Sequence, residues 1–290
     1  QRVSRKDRFS VGFALLALYL VWGVNFLCMR IALESFPPFI MAGLRFTLAG
    51  CILYTFLRLR KHSTPTRAQW WCSALIGLLL LTIGNGGVAF AEQWIASGLA
   101  AVMVAAIPLW TALFVGLQGR WPTRLECAGL VLGFVGVILL NLEHGVWANP
   151  LGAIFLLLAP MGWGLGSALS SRVSLPEGLM ASAAQMLIGG GLLLLLALLL
   201  GERVTHLPSF RSSAALTFMI IFSSVITFSA YIYLLRRVRP ALATSYAYVN
   251  PIVAVALGVG LAGEQITFIG ILAMLVILTG VGLVSLQKKQ

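Results

Sequence analysis

An all-α membrane protein of ten transmembrane helices, arranged as two inverted five-helix repeats, is the fold class this sequence predicts. Three observations predict it. Sixty per cent of the residues are apolar and ten per cent are charged, a balance outside that of soluble domains. A spanning helix needs about 20 mostly apolar residues, and roughly ten such runs follow one another with little chain left for a soluble domain. Residues 97–123, SGLAAVMVAAIPLWTALFVGLQGRWPT, also echo 240–265, PALATSYAYVNPIVAVALGVGLAGEQ: small residues, a mid-span proline (Pro108, Pro251), apolar residues, then a polar turn. From Gly119 to Gly136 is the same distance as from Gly263 to Gly280.

The apolar runs place spans at 9–30, 38–59, 69–93, 97–117, 124–141, 150–171, 178–200, 211–235, 240–262 and 266–286. The first is too long for a signal peptide's apolar core and has no small-residue cleavage site after it, so it counts as a helix. Only Glu92, Gln93, Trp94 and a Ser-Gly separate the third from the fourth. The duplication divides the chain into repeats at 1–145 and 146–290, together one membrane domain. An odd number of helices per repeat sets the two halves in opposite orientations, an arrangement typical of secondary transporters, whose substrate site lies at the midplane between the halves.

The net charge of +12 sits in short clusters between apolar runs, which reads as topology signal and not as a nucleic-acid surface. Alternate loops hold sixteen basic residues on one side, from Arg2 through Arg58, Arg120, Arg172 and Arg236 to Lys289, against Arg30, Arg203 and Arg211 on the other. Both termini are therefore expected in the cytoplasm. The cysteines Cys28, Cys51, Cys72 and Cys127 show no metal-ligand spacing and read as small packing residues without disulfides. The histidines (His62, His144, His206) are dispersed in loops, and no phosphate loop, HExxH helix or nucleophile elbow is present. No catalytic residue, cofactor or metal is expected, and a membrane enzyme or a scaffold is the weaker reading.

What remains is a set of polar and aromatic residues inside apolar spans. Trp70, Trp71, Trp94, Trp121 and Trp147 sit at span ends, where an aromatic belt is expected, whereas Trp22, Trp110 and Trp163 are near mid-span. Trp22-Gly23 and Trp163-Gly164 occupy matching places in the two halves. An indole beside a glycine suits a ligand face, and equally suits close helix packing. Asn25 lies on the face of Trp22, and Ser167 follows Trp163. Asn85 and Asn250 add further amides, which need neighbouring backbone or a polar substrate as partner. Gly84-Asn85-Gly86-Gly87 reads as a close-packing or bending point.

Thr244, Ser245, Tyr246, Tyr248 and Asn250 precede Pro251, and such residues are tolerated in hydrocarbon only against protein or a water-filled cavity. Arg45 stands about one and a half turns into the second span, where an arginine costs several kcal/mol unless it snorkels, pairs or faces water. It reads either as a partner for a carboxylate, of a substrate or of Glu92, or as a helix-end anchor. Glu92 is near enough to the interface to be solvated, and no buried acid pair for proton coupling is legible.

These residues carry a resemblance. The chain resembles the EamA-type branch of the drug/metabolite transporter superfamily, and within it the bacterial inner-membrane amino-acid exporters of the YddG kind. Carrying it are Trp22-Gly23-x-Asn25-Phe26, Pro38 with Leu44-Arg45-Phe46, Ser97-Gly98-Leu99-Ala100-Ala101 through Pro108, and Ala241 through Pro251 to Gly263-Glu264. The resemblance implies a central cavity walled by helices 1, 3, 4, 6, 8 and 9, peripheral fifth and tenth helices, and export of amino acids or related small metabolites. One departure is that Arg120 takes the place in the first half that Glu264 holds in the second.

The expected substrate site is Trp22, Asn25, Arg45, Asn85, Trp110, Trp163, Ser167, Tyr246, Tyr248 and Asn250, with Gly23, Gly84, Pro108, Gly164 and Pro251 as bending points for alternating access. The expected partners are a small-molecule substrate and the lipid bilayer of a bacterial inner membrane, without nucleic acid. A monomer suffices for the site. Efflux of drugs, sugars or nucleobases is the alternative within transport; cationic drugs fit less well because the first helix buries no acid.

Overall fold

The structure, a computed structural model, describes residues 5–94, 100, 103–141, 150–253 and 268–285, and among these every regular element is helical. The helices are α1 (Arg5–Leu33), α2 (Pro38–Leu59), α3 (Arg67–Ala91), α4 (Ile107–Leu117), α5 (Arg124–Asn141), α6 (Pro150–Ser170), α7 (Leu179–Leu199), α8 (Phe210–Arg237), α9 (Pro240–Ala243) and α10 (Phe268–Ser285). After a turn at 244–245 the chain beyond α9 is helical again through 246–253. Among the described residues six helices (α1, α2, α3, α6, α7, α8) are long and apolar enough to cross a membrane. Parts of the expected spans 97–117, 240–262 and 266–286 lie outside the described residues, as do the Gly263-Glu264 turn and the Ser97-Gly98-Leu99 stretch.

Local chemistry sets several helix starts. Thr66 and Gln69 form a reciprocal capping box at α3, and Thr123 and Glu126 exchange the same pair of bonds at α5. The first free amides of α2, on Phe39 and Ile40, donate to the two carboxylate oxygens of Glu202 from the loop after α7, at 3.2 and 2.9 Å. Pro108 does not bend a continuous span. It stands in the first turn of α4, directly after a turn at 105–106, where its missing amide costs nothing.

Two long helices widen internally. Leu78–Asn85 in α3 and Met219–Phe228 in α8 are wound in π fashion, so one extra residue per turn pushes side chains out of the usual register. The packing repeats as well. Helix α1 lies along α8, and α6 lies along α3; α2 packs on α7, and α5 on α10. Where α1 crosses the segment after α9, a Cβ on Gly23 would fall 2.5 Å from Val253; where α6 crosses α4, one on Gly164 would fall 2.8 Å from the Cβ of Trp110. Both crossings need glycine for close approach.

The main buried cluster joins α1, α2, α3, α6, α7 and α8, and a smaller one joins Leu130, Tyr248, Ala273 and Ile277 around the α5–α10 pair. Outward faces carry Phe13, Leu16, Leu20, Ile52, Leu158 and Leu275, fully apolar and exposed, as lipid contact requires. None of the four cysteines is in a disulfide.

Candidate functional site: a narrow cavity above an aromatic plug

Seven of the ten expected site residues come together. Trp22 and Asn25 of α1, Arg45 of α2, Asn85 of α3, Trp163 of α6, and Tyr246 and Asn250 after α9 line one cavity, with Phe26, Met29, Val88, Ile107 and Pro160 between them. The open space is about 50 Å³, enough for a few waters and too little for an amino acid. A solute of that size enters only if the helices part.

The floor of the cavity is formed by the rings of Trp22, Trp163 and Tyr246, with the Tyr231 ring packed behind them. Trp22 meets Tyr246 edge-on at 4.6 Å, Trp163 edge-on at 5.6 Å and Tyr231 at 5.4 Å, while Tyr231 also touches Trp163 and Tyr246. Edge-to-face pairs of this kind add about 0.5–1.5 kcal/mol each beyond burial. Hydrogen bonds fix the rings: Trp22 Nε1 donates to the Ser223 carbonyl at 3.1 Å, and Trp163 Nε1 to the Tyr231 hydroxyl at 3.0 Å. Ser167 stands behind this cluster, its hydroxyl 2.5 Å from that of Tyr231, and does not line the cavity. Judged by position along the helices, the rings separate the cavity from the bundle end that carries Arg172, Arg236 and Arg239. A bond between Tyr19 and Ser245, 2.8 Å long, reinforces that separation.

The walls are polar and incompletely bonded. Arg45 is 2% exposed; its Nε donates to Ser224 Oγ at 2.8 Å, Nη1 points at the Met219 sulfur at 3.8 Å, and the guanidinium lies 4.7 Å over the Phe46 ring. Among the described residues no carboxylate pairs with it, so Glu92 is not its partner. A buried cation without a counter-ion is costly unless something else supplies the charge. Asn25 accepts from Ser223 Oγ at 2.7 Å. By contrast, Asn85 Oδ1 and Asn250 Oδ1 are buried and accept nothing from the described residues.

Three expectations need correction. Trp110 is turned out of the cavity, because its Cβ fills the glycine notch of Gly164 and its ring stacks on Phe114 at 5.9 Å. Tyr248 faces the opposite way, donating to the Leu130 carbonyl at 3.2 Å and packing its ring against Gly133. Glu92 is not solvated: it is 8% exposed, and neither carboxylate oxygen has a hydrogen-bond partner among the described residues. The glycines expected as bending points, Gly23, Gly84 and Gly164, stand at close helix contacts. Gly84 lies against the Trp163 ring, and Gly86 and Gly87 against Leu193 and Phe155.

Sequence reasoning missed Ser223, Ser224 and Tyr231, all on α8. Their only signal is a Ser-Ser pair and a tyrosine within an apolar run.

Known proteins resemble this chain over nearly its whole length. A model of the EamA-like transporter family matches it twice, at residues 9–142 and 150–286. The uncharacterized inner membrane transporter YedA of Escherichia coli (strain K12) is 48% identical over 276 residues, covering 95% of this chain and 90% of the relative. A probable amino-acid metabolite efflux pump of Salmonella typhimurium is 24% identical over 297 residues, covering 96% and 94%. One solved crystal structure shares the fold, with a TM-score of 0.79 over 96% of this chain and 98% of its own, at 19% identity.

Proposed function

The chain belongs to the EamA-like transporter family, in which that domain is here duplicated, and from this premise we propose that it exports amino acids or related small metabolites from the cytoplasm. In this reading it is a secondary transporter of the inner membrane with ten spanning helices. Both termini are cytoplasmic, and the repeats at 1–145 and 146–290 are inverted. A two-fold relation between the repeats is supported by the packing, in which α1 on α8 and α6 on α3 exchange while α2·α7 and α5·α10 map onto themselves. An odd number of helices per repeat then sets the halves in opposite orientations. The inner-membrane assignment follows the 48% identical relative and the clustered arginines.

The observation that carries the substrate reading is Arg45, buried in the cavity wall without a carboxylate partner among the described residues. Its charge suits a carboxylate. The carbonyl oxygens of Asn85 and Asn250 lack donors, and an ammonium group offers them. The aromatic floor suits a side chain of any apolar shape. Together these complement a zwitterion, and among the described residues no acid lines the cavity, which disfavours a bare cation.

Alternating access follows from the same geometry. The plug of Trp22, Trp163, Tyr231 and Tyr246 closes the cytoplasmic side, and the cavity extends from it toward the periplasm. Inward opening separates α6 and the segment after α9 from α1 and α8.

The test is efflux of a panel of labelled amino acids from proteoliposomes with no imposed ion gradient. Wild type should release several of them saturably. Arg45→Gln and Asn250→Ala should cut that release about tenfold or more at equal folded protein, a loss of roughly 1.4 kcal/mol of transition-state or binding energy. Wild-type efflux in both variants would remove the site assignment. Trp163→Ala is a poor probe, because loss of a ring wedged against Gly84 costs about 3–5 kcal/mol of folding energy by itself.

A further inference from the structure

A second and much larger cavity opens at the arginine-rich end of the bundle. It holds about 790 Å³ between the last turns of α4, α6 and α8 and the first turn of α9. Arg120, Arg172, Arg236 and Arg239 line it together with Ser171 and Trp121, and among the described residues no acid does. The positive-inside tendency accounts for the sign of these residues but not for their convergence on one concavity.

Their charge is only partly offset. Arg172 donates to the Gln118 carbonyl and Arg236 to the Pro176 carbonyl, each at 2.7 Å, so both are held in place without being neutralised. Glu177 acts on Arg236 from outside the lining. Arg239 forms an ion pair with Glu126 at 2.8 Å, yet its Nη1 is buried and has no partner among the described residues. The walls belong to α4, α6 and α8, which carry Ile107, Trp163 and Tyr231, and to α9, which leads into the segment of Tyr246. Among the described residues, the aromatic plug and the Tyr19–Ser245 bond stand between this chamber and the cavity of Arg45.

We propose that this chamber is an anion-collecting vestibule, a binding site for small soluble carboxylate- or phosphate-bearing metabolites on their way to the plug. It rests on the export reading and narrows it. Arginines at the entrance and at the midplane, with no acid among the described lining residues at either place, favour solutes that bear a carboxylate or phosphate and repel cations. A concavity of one sign raises the local concentration of the opposite ion, and the effect weakens as salt screens it.

Trp121 reports on the vestibule directly, because its ring stands in the lining. Its emission is the difference between wild type and Trp121→Phe, measured in nanodiscs of neutral lipid. Iodide should quench that emission on the order of tenfold more efficiently than caesium at low salt. The excess should collapse at high salt and in Arg120→Gln/Arg172→Gln. L-Glutamate or citrate should protect Trp121 from iodide where L-alanine and L-lysine do not. Equal quenching by the two ions would overturn the proposal, and so would an excess that survives the double substitution. Loss of the excess once anionic lipid is added would also overturn it, identifying headgroups as the occupant. The readout is independent of transport. An anion site without efflux would retire the export reading alone, and efflux without the anion preference would retire the vestibule alone.

Discussion

The seam between α1 and α8 and the seam between α3 and α6 are the same contact in the two halves of the chain, yet they are held together differently. The first is bonded. Trp22 and Asn25 engage Ser223, and nearer the loop Ser212 Oγ donates to the Ile31 carbonyl at 2.8 Å while Ser35 Oγ donates to Ser212 Oγ at 3.0 Å. The second is a run of close van der Waals approaches. Gly84 meets Trp163, Gly87 meets Ala159, Gly162 meets Ile83, and Gly166 meets Leu80. Among the described residues no side-chain hydrogen bond accompanies these four contacts. A hydrogen-bonded seam has a fixed register, whereas a glycine seam slides or parts at the cost of dispersion alone. The contrast predicts that, in the proposed transport cycle, α3 moves against α6 while α1 and α8 stay together.

The largest effect expected from this contrast lies in the glycine seam. A leucine at Gly162 places its Cβ 2.7 Å from Ile83 Cγ2 and 3.0 Å from the Leu79 carbonyl oxygen, and the backbone atom cannot give way. Gly162→Leu should cost about 3 kcal/mol or more of stability, seen as a lower unfolding midpoint in detergent and poor recovery of folded protein. A variant that folds at the wild-type midpoint would mean the seam is already loose.

A smaller effect separates two asparagines that the sequence presents as equals. Ser223→Ala leaves Asn25 without its donor and should cost about 1 kcal/mol, in the range of interhelical bonds within membranes. Asn85→Ala breaks no bond to Asn85 Oδ1 and removes a buried acceptor without a partner, so stability should hold or rise by about 1 kcal/mol while efflux falls. Equal losses of stability in the two variants would erase the distinction between the bonded and the unbonded seam.

How much of this was legible beforehand depends on what each residue's neighbours contribute. Spans follow from apolar runs because hydrocarbon imposes length and composition locally. The Trp22 and Trp163 pairing followed from the echo between the halves, and Arg45, Asn85 and Asn250 from the expense of polar atoms in a span. Tyr246 and Tyr248 were read as one group. Two helical residues apart is a turn of about 200°, so one ring faces the plug and the other faces α5. Ser223 and Ser224 were illegible because small hydroxyl residues in a span serve plain packing equally well. Their role appears only once α1 and α2 are placed on either side of α8. Trp110 was misread because its position is set by a glycine more than fifty residues away, which no local pattern reports.

Glu92 gives the smallest effect and the sharpest test of the mobile seam. It follows the last turn of α3, where Phe90 stacks on Phe39 at 5.2 Å and meets Phe155 at 4.5 Å. A carboxylate there faces the negative end of the helix dipole, lacks a hydrogen-bond partner among the described residues, and has Arg30 as the charge acting on it without an ion pair. Glu92→Gln keeps the shape and removes the charge, so it should stabilise the closed arrangement by up to about 1 kcal/mol. If α3 moves against α6 during transport, a tighter closed form should also open less often, and efflux should slow by up to about fivefold at unchanged KM. A stabilised protein with undiminished efflux would show that the end of α3 stays packed throughout the cycle, and would move the sliding element to α6.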